Sequence, residues 1–266
     1  MGCDLSLIIE DLIGGKPLIL VADPREGKTV IAKELLLRVR ETLRDEFKLQ
    51  VYDPSGAWFH NAPLYMKQIL TRESIDAGIW RDESHCLYHL GLIDTDTRME
   101  FIGDILTREY LQRQNKHLFD PEYMNGAQPV MYGLEEVQTV FPKNGKMPEH
   151  LFDVLTYGGN LKMIVFALTQ RLSECRTGLV ERCNVLCGYL SGDNDRSKLR
   201  RGTSWEFLNE VRKLETKGRQ FLYYNGKIYG PYKVAYRKHN NPALLHNDIS
   251  KLREEKVNPH FKMPTL

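Results

Sequence analysis

Ala22-Asp23-Pro24-Arg25-Glu26-Gly27-Lys28-Thr29 is the stretch on which the reading of the chain turns. Before it, Pro17 to Ala22 (PLILVA) is a short apolar run without helical period, as in a buried strand. After it, Val30, Ile31, Leu35, Leu36, Val39 and Leu43 recur on one side of a helix, with Lys33, Arg38, Arg40 and Glu41 mostly opposite. A strand, a glycine-containing turn closing on Gly-Lys-Thr and an amphipathic helix make a Walker A pattern, with Ala22 in place of the first glycine. Such a turn aims backbone N–H groups at phosphates, and the helix adds its positive N-terminal end. The segment Asp23, Pro24, Arg25, Glu26, Gly27, Lys28, Thr29 and Val30 is therefore the expected ATP cradle. In it Lys28 pairs with β- and γ-phosphate oxygens, and Thr29 offers its hydroxyl to Mg²⁺. Asp23 and Glu26 put negative charge in an anion-binding loop, so their carboxylates are expected to point outward, with Arg25 offsetting them.

Outward from this loop, Leu49–Tyr52 is a second strand stopped by Asp53-Pro54-Ser55-Gly56, which is turn chemistry. Pro129–Leu134 (PVMYGL) is a third strand, Leu161–Thr169 a fourth and the most apolar, and Val185–Leu190 a fifth. Strands alternating with helical stretches specify a mainly parallel sheet between helices, whose ligands lie beyond the carboxyl ends of the strands. Polar residues sit at those ends: Asp53, the pair Glu135-Glu136, and Thr169-Gln170-Arg171. An apolar strand ending in two acids has the Walker B form. Glu135 is the expected metal ligand and Glu136 the group that orients and deprotonates an attacking water. Two solvated acids opening a loop are the plainer alternative. Gln170 is placed to hydrogen-bond the γ-phosphate or the lytic water; capping of the next segment is its alternative.

Residues 61–126 are polar and aromatic, with one clear helical pattern near Thr97–His117, and read as a mostly helical insert. Gln220–Tyr224 and Lys227–Tyr232 flank Asn225-Gly226, the signature of a C-terminal β-hairpin with a type I′ turn. Residues 236–266 lose periodicity and read as an arm or tail on a single domain with its core at about 15–235. In the 266 residues, 37 Lys and Arg balance 35 Asp and Glu, a net charge of +2, which excludes a histone-like basic protein or a permanently disordered acidic one. No apolar run approaches the roughly eighteen residues of a membrane span. The N-terminus carries acids where a secretory signal carries bases, and the five scattered cysteines suit a reducing compartment, so a cytoplasmic location is expected. Neither His85, Cys86 and His89 nor Cys183 and Cys187 has the paired spacing of a structural zinc site.

Taken in order, ADPREGKT, VMYGLEEVQ and FALTQR resemble the FtsK–HerA superfamily of DNA-pumping ATPases, and within it the small viral genome-packaging ATPases. YDPSG is similar to the Asp-Pro strand end of FtsK-like translocases, and the likeness extends over about residues 15–200 with a divergent middle. The resemblance implies a RecA-like P-loop NTPase core, ATP and Mg²⁺. It implies phosphate binding by Lys28 and Thr29, metal binding by Glu135, catalysis by Glu136 and sensing by Gln170. It also implies a homo-oligomeric ring, usually a hexamer, around double-stranded DNA, and in a virus a capsid vertex or portal as partner and association with the virion or procapsid. An arginine reaching the γ-phosphate from the neighbouring subunit belongs to the family pattern; Arg196 aligns best, then Arg182, with Arg176 a third candidate. Ala22, the charged loop and Glu135 in place of aspartate depart from the pattern, which bears on affinity and rate rather than on fold.

From Arg171 to Arg219 there are eleven Lys and Arg against seven acids, densest at Arg196-Ser197-Lys198-Leu199-Arg200-Arg201. Phosphate neutralisation binds DNA without sequence choice, so Lys198, Arg200 and Arg201 are candidate DNA contacts; a solvated charged face is the alternative. The expectation is thus an ATP-driven translocase of double-stranded DNA that packages a viral genome. Two alternatives stand beside it: a P-loop kinase of a small molecule, with 61–126 as its lid, and a nucleotide-dependent assembly protein.

Overall fold

The computed structural model describes residues 5–44, 46–54, 67–69, 85–88 and 95–234. Its strands are β1 (Leu18–Val21), β2 (Lys48–Tyr52), β3 (Lys67–Ile69), β4 (His85–Tyr88), β5 (Val130–Leu134), β6 (Met163–Thr169), β7 (Asn184–Cys187), β8 (Gln220–Tyr224) and β9 (Ile228–Lys233). They form one sheet in the order β3-β4-β2-β5-β6-β1-β7-β8-β9. Every neighbouring pair from β3 to β7 is parallel, while β8 and β9 run antiparallel at one edge. The fold is the α/β type with a mainly parallel sheet between helices, closed by a C-terminal hairpin.

Burial on both faces explains why the central strands read as unbroken apolar runs. Ile19, Val21, Val130, Tyr132, Val165 and Ala167 face one layer, formed in part by helix Thr95–Phe119 through Ile102, Leu106 and Tyr110. Leu18, Leu20, Met131, Ile164, Phe166 and Leu168 face the other, covered by helices Ser6–Ile13 and Lys28–Leu43. Alternation along each strand thus sends side chains to two separate cores, and few polar positions remain except at the strand ends.

Three local readings differ from the sequence. The 61–126 region contributes the long helix but also β3 and β4, which extend the sheet beyond β2. His85 and Cys86 therefore belong to a strand within the region read as mostly helical, while His89 lies outside the described residues. The hairpin turn is not type I′: Tyr224 pairs with Ile228, leaving a three-residue connection in which Gly226 alone takes positive φ, 97°. Asn225 is spared the left-handed conformation that a two-residue turn demands of both central residues.

The layers meet closely where the chain enters β1 and β6. Gly15 and Gly159 touch backbone to backbone, and a methyl on Gly159 would fall 2.9 Å from the carbonyl carbon of Gly15, with its oxygen nearer still. Gly15 also holds φ at 83°, which suits glycine. No flexible side chain can yield there. Gly159→Ala is therefore expected to destabilise the protein by about 2–3 kcal/mol, measured by urea denaturation; a loss within about 0.5 kcal/mol, as at an ordinary surface position, would contradict this packing.

Candidate functional site

Register brings the predicted polar strand ends to one edge. Val21 lies opposite Thr169 and Cys187, Tyr52 opposite Leu134, and Leu134 opposite Ala167. The loop at 22–27, Asp53, Glu135-Glu136, Gln170-Arg171 and the segment after β7 consequently share the carboxyl edge of the sheet. Gly27 closes the loop at φ 91°, and helix Lys28–Leu43 starts directly on it, with Val30 and Ile31 N–H groups donating to the Gly27 carbonyl. The helix thus opens toward the loop with its positive end.

Lys28 is buried and curled back on its own loop: Nζ donates to the carbonyls of Ala22 at 2.6 Å and Asp23 at 2.8 Å. Burial lowers its pKa, and the charges of Glu135, Glu136, Asp23 and Glu26 oppose that shift. Both acids at the end of β5 therefore lie in the field of the loop lysine. Glu136 reaches this position by taking left-handed φ and ψ of 52° and 55°, ending β5 and starting the turn Val137–Thr139. Non-glycine residues held there cost of order 1–3 kcal/mol and concentrate at working sites.

The Glu136 carboxylate is gripped from two sides. Oε1 accepts from Gln170 Nε2 at 3.0 Å and Oε2 from Gln138 Nε2 at 2.6 Å. Gln138 is tied in turn by Thr169 Oγ1, which donates to its Oε1 at 2.8 Å, and Thr169 accepts from the N–H of Arg171. Two residues singled out separately in the sequence, Glu136 and Gln170, thus meet directly. Gln138 has no assigned role in the sequence reading, although the spacing Glu-Glu-Val-Gln places it two residues past Glu136.

Behind the loop, Glu135 is 4% exposed and Asp53 is fully buried. Lys33 accompanies them at 9% exposure, which corrects its placement on the solvent side of the helix. Its pKa falls to about 8 through burial, against the opposing charges of Asp53 and Glu135. The periodicity misleads here because the first turns of this helix lie over the charged ends of the strands rather than over the apolar sheet.

The acids of the loop do not both point outward. Asp23 stays on the rim, where Oδ2 accepts from the N–H of Ser191. Glu26 is 3% exposed and turns inward, with Oε1 accepting from the N–H of Lys217 at 2.7 Å. An incoming backbone donor answers its charge, which a sequence of separated segments does not display. Pro24 and Arg25 are exposed, and Arg25 takes φ 67°.

The three candidate arginines are all engaged within their own chain. Arg196 Nε donates to the Leu190 carbonyl at 2.8 Å, and Nη1 lies 3.5 Å from Asp193. Arg182 donates to Thr156 Oγ1 and the Gly178 carbonyl, with its guanidinium 4.7 Å from the Phe152 ring centre. Arg176 donates to the Gly145 carbonyl. Arg196 follows β7 on the edge of the candidate site, whereas Arg182 precedes β7 at the opposite edge. The basic run is likewise dispersed on helix Asp193–Gly202. Lys198 donates to the Cys175 carbonyl, Arg200 lies 5.3 Å over the exposed Trp205 ring, and Arg201 is exposed.

No family model matches the chain, and no curated protein does. Solved structures do. The genome packaging NTPase B204 from Sulfolobus turreted icosahedral virus 2, in complex with AMP, superposes with a TM-score of 0.59 at 13% identity, covering 84% of this chain and 99% of that one. The chain has the fold of a P-loop ATPase. EssC (ATPases 2 and 3) from Geobacillus thermodenitrificans matches with a TM-score of 0.58 at 10% identity, over 92% of this chain and 43% of that one. The type VII secretion ATPase EccC of Thermomonospora curvata gives 0.53 at 15% identity, over 85% of this chain and 26% of that one. No helix among the described residues is long and apolar enough to cross a membrane.

Proposed function

We propose that this protein hydrolyses ATP at the subunit interfaces of a homo-oligomeric ring, of six subunits by the family pattern, and uses the energy to move double-stranded DNA as a viral genome-packaging ATPase. The observation that carries the reading is the carboxylate of Glu136, held by Gln138 and Gln170 within the field of Lys28. In the proposed reaction a water oxygen bonds to the γ-phosphorus, the bond to the β,γ-bridging oxygen breaks, and the water proton passes to Glu136. Lys28 exchanges the loop carbonyls for phosphate oxygens. Gln170, just beyond the end of β6, carries the state of the γ-phosphate into the Gln138–Thr169 chain of hydrogen bonds. A neighbour's Arg196 or Arg182 completes the site, which makes turnover depend on assembly.

Thr29 and Glu135 fit a magnesium ion. They offer one hydroxyl and one carboxylate oxygen, and no cluster of three or more His, Cys, Asp or Glu suited to a metal occurs among the described residues. Magnesium bound to nucleotide takes one or two protein oxygens and fills its shell with phosphates and water. When bound, it neutralises charge on the β- and γ-phosphate oxygens.

The likeness runs over 99% of the viral NTPase, 43% of the EssC chain and 26% of the EccC chain. Lys198, Arg200 and Arg201 are the proposed DNA contacts and a capsid vertex or portal the proposed docking partner, in host cytoplasm. The test is phosphate release by the purified protein with and without double-stranded DNA of mixed sequence. Stimulation that fades as salt is raised is the expected result, because counterion release drives such binding. Turnover indifferent to DNA at low salt would contradict the translocase reading while leaving ATP hydrolysis in place.

A further inference from the structure

The antiparallel hairpin does more than cover an edge. Because β8 runs against β7, with Cys187 opposite Leu222, its starting residue Gln220 lies at the carboxyl edge of the sheet. The preceding loop, Glu215–Arg219, is thereby delivered to the phosphate loop. Two contacts fasten it. Glu26 Oε1 accepts from the Lys217 N–H at 2.7 Å and from Thr216 Oγ1 at 3.4 Å. The Arg219 side chain lies along Gly27, where a Cβ would stand 3.8 Å from its Cγ and 3.9 Å from its Cδ. Lys217 and Arg219 hold positive φ of 60° and 49°. The backbone of Arg219 is pinned by the Val234 N–H, which donates to its carbonyl.

Two features ask for a reason. Glu26 is a carboxylate inside an anion-binding loop, and its Oε2 is buried without a hydrogen-bond partner among the described residues. Buried polar atoms in that state are uncommon and costly. In addition, Lys28 already faces four carboxylates, Glu135, Glu136, Asp23 and Glu26, so a triphosphate arriving there needs further positive charge. A planar guanidinium on a stem that crosses Gly27 suits phosphate oxygens, which it can meet with two parallel donors.

We propose that Glu215–Arg219 forms a wall of the nucleotide site, with Arg219 bonding the phosphates of the chain's own nucleotide and Glu26 acting as the positioning residue that holds this wall against the phosphate loop. The proposal rests on the reading of residues 22–29 as a nucleotide cradle. It explains the acid in the loop: the carboxylate is directed to a backbone N–H and not to the ligand. It also separates two kinds of arginine. One from a neighbour acts on turnover, whereas Arg219 acts on affinity from within the chain.

The test is displacement of a fluorescent ATP analogue by ATP and by ADP, with magnesium, on wild type, R219A, E26A, E26Q and the E26A/R219A double variant. R219A is expected to weaken ATP and ADP alike by about tenfold or more, the scale of a hydrogen bond to a charged group, with turnover at saturating ATP much less affected. E26A weakens binding as well, and E26Q, which keeps an accepting oxygen, loses less than E26A. The double variant is expected to bind no worse than R219A, because both changes remove one device. R219A binding ATP and ADP as wild type does overturns the contact, and additive losses in the double variant overturn the positioning role. A wild-type protein that binds neither nucleotide overturns the cradle itself, a result distinct from both.

Discussion

Replacing Glu136 with glutamine is expected to lower the rate of ATP hydrolysis by about 10²- to 10⁴-fold, the span that a positioned general base contributes. The amide is nearly isosteric but cannot accept the water proton. It also offers one oxygen where the carboxylate offers two, so either Gln138 or Gln170 loses its acceptor. The backbone, held at φ 52° by the turn into Val137–Thr139, is untouched by the change. Nucleotide binding should therefore survive. Phosphate release is the measurement, with bound ATP counted separately; turnover at the wild-type rate would remove Glu136 from the chemistry.

Lys28→Ala is expected to weaken ATP binding by about a hundredfold, the upper scale of a hydrogen bond to a charged group. The reason is electrostatic as well as local. Lys28 is the cation against which Glu135, Glu136, Asp23 and Glu26 are set. Without it, those acids face a polyanion directly, and in a buried site such repulsion is poorly screened. Folding should suffer less than binding, because the lysine ammonium is itself costly to bury and its two partners are carbonyls at the loop's own base. Equilibrium titration with ATP checks this, alongside a melting curve that establishes the variant is folded.

The central strands were legible because both sheet faces are covered, which turns each strand into an apolar run that local sequence displays directly. The placing of the loop at 22–27, Glu135-Glu136 and Gln170 at one edge of the sheet is legible for a related reason: a polar residue closing such a run has little to do in the core. What escaped depended on contacts between distant segments. Lys33 looks like a solvent-side residue by helical period, and only the placement of its helix over Asp53 and Glu135 buries it. Glu26 looks destined for water until the Lys217 N–H, nearly two hundred residues on, is brought beside it. Gln138 stood within the quoted motif, yet its part depends on Thr169 of the adjacent strand. The strands at Lys67–Ile69 and His85–Tyr88 are short and lack an apolar signature, and only their pairing onto β2 identifies them.

The resemblance carried the fold further than pattern did, since the structures that superpose on the chain share only 10–15% of its residues. Within this chain the candidate site needs only a loop, a lysine and acids beyond the strand two positions away in the sheet.

A crystal structure of the protein with a non-hydrolysable ATP analogue and magnesium examines the central claim most directly. The account predicts the triphosphate wrapped by the N–H groups of residues 25–29, with Lys28 Nζ released from Ala22 and Asp23 onto phosphate oxygens and Glu136 facing the terminal phosphate. A nucleotide bound elsewhere on the chain, or one whose terminal phosphate lies away from Glu136, would contradict it.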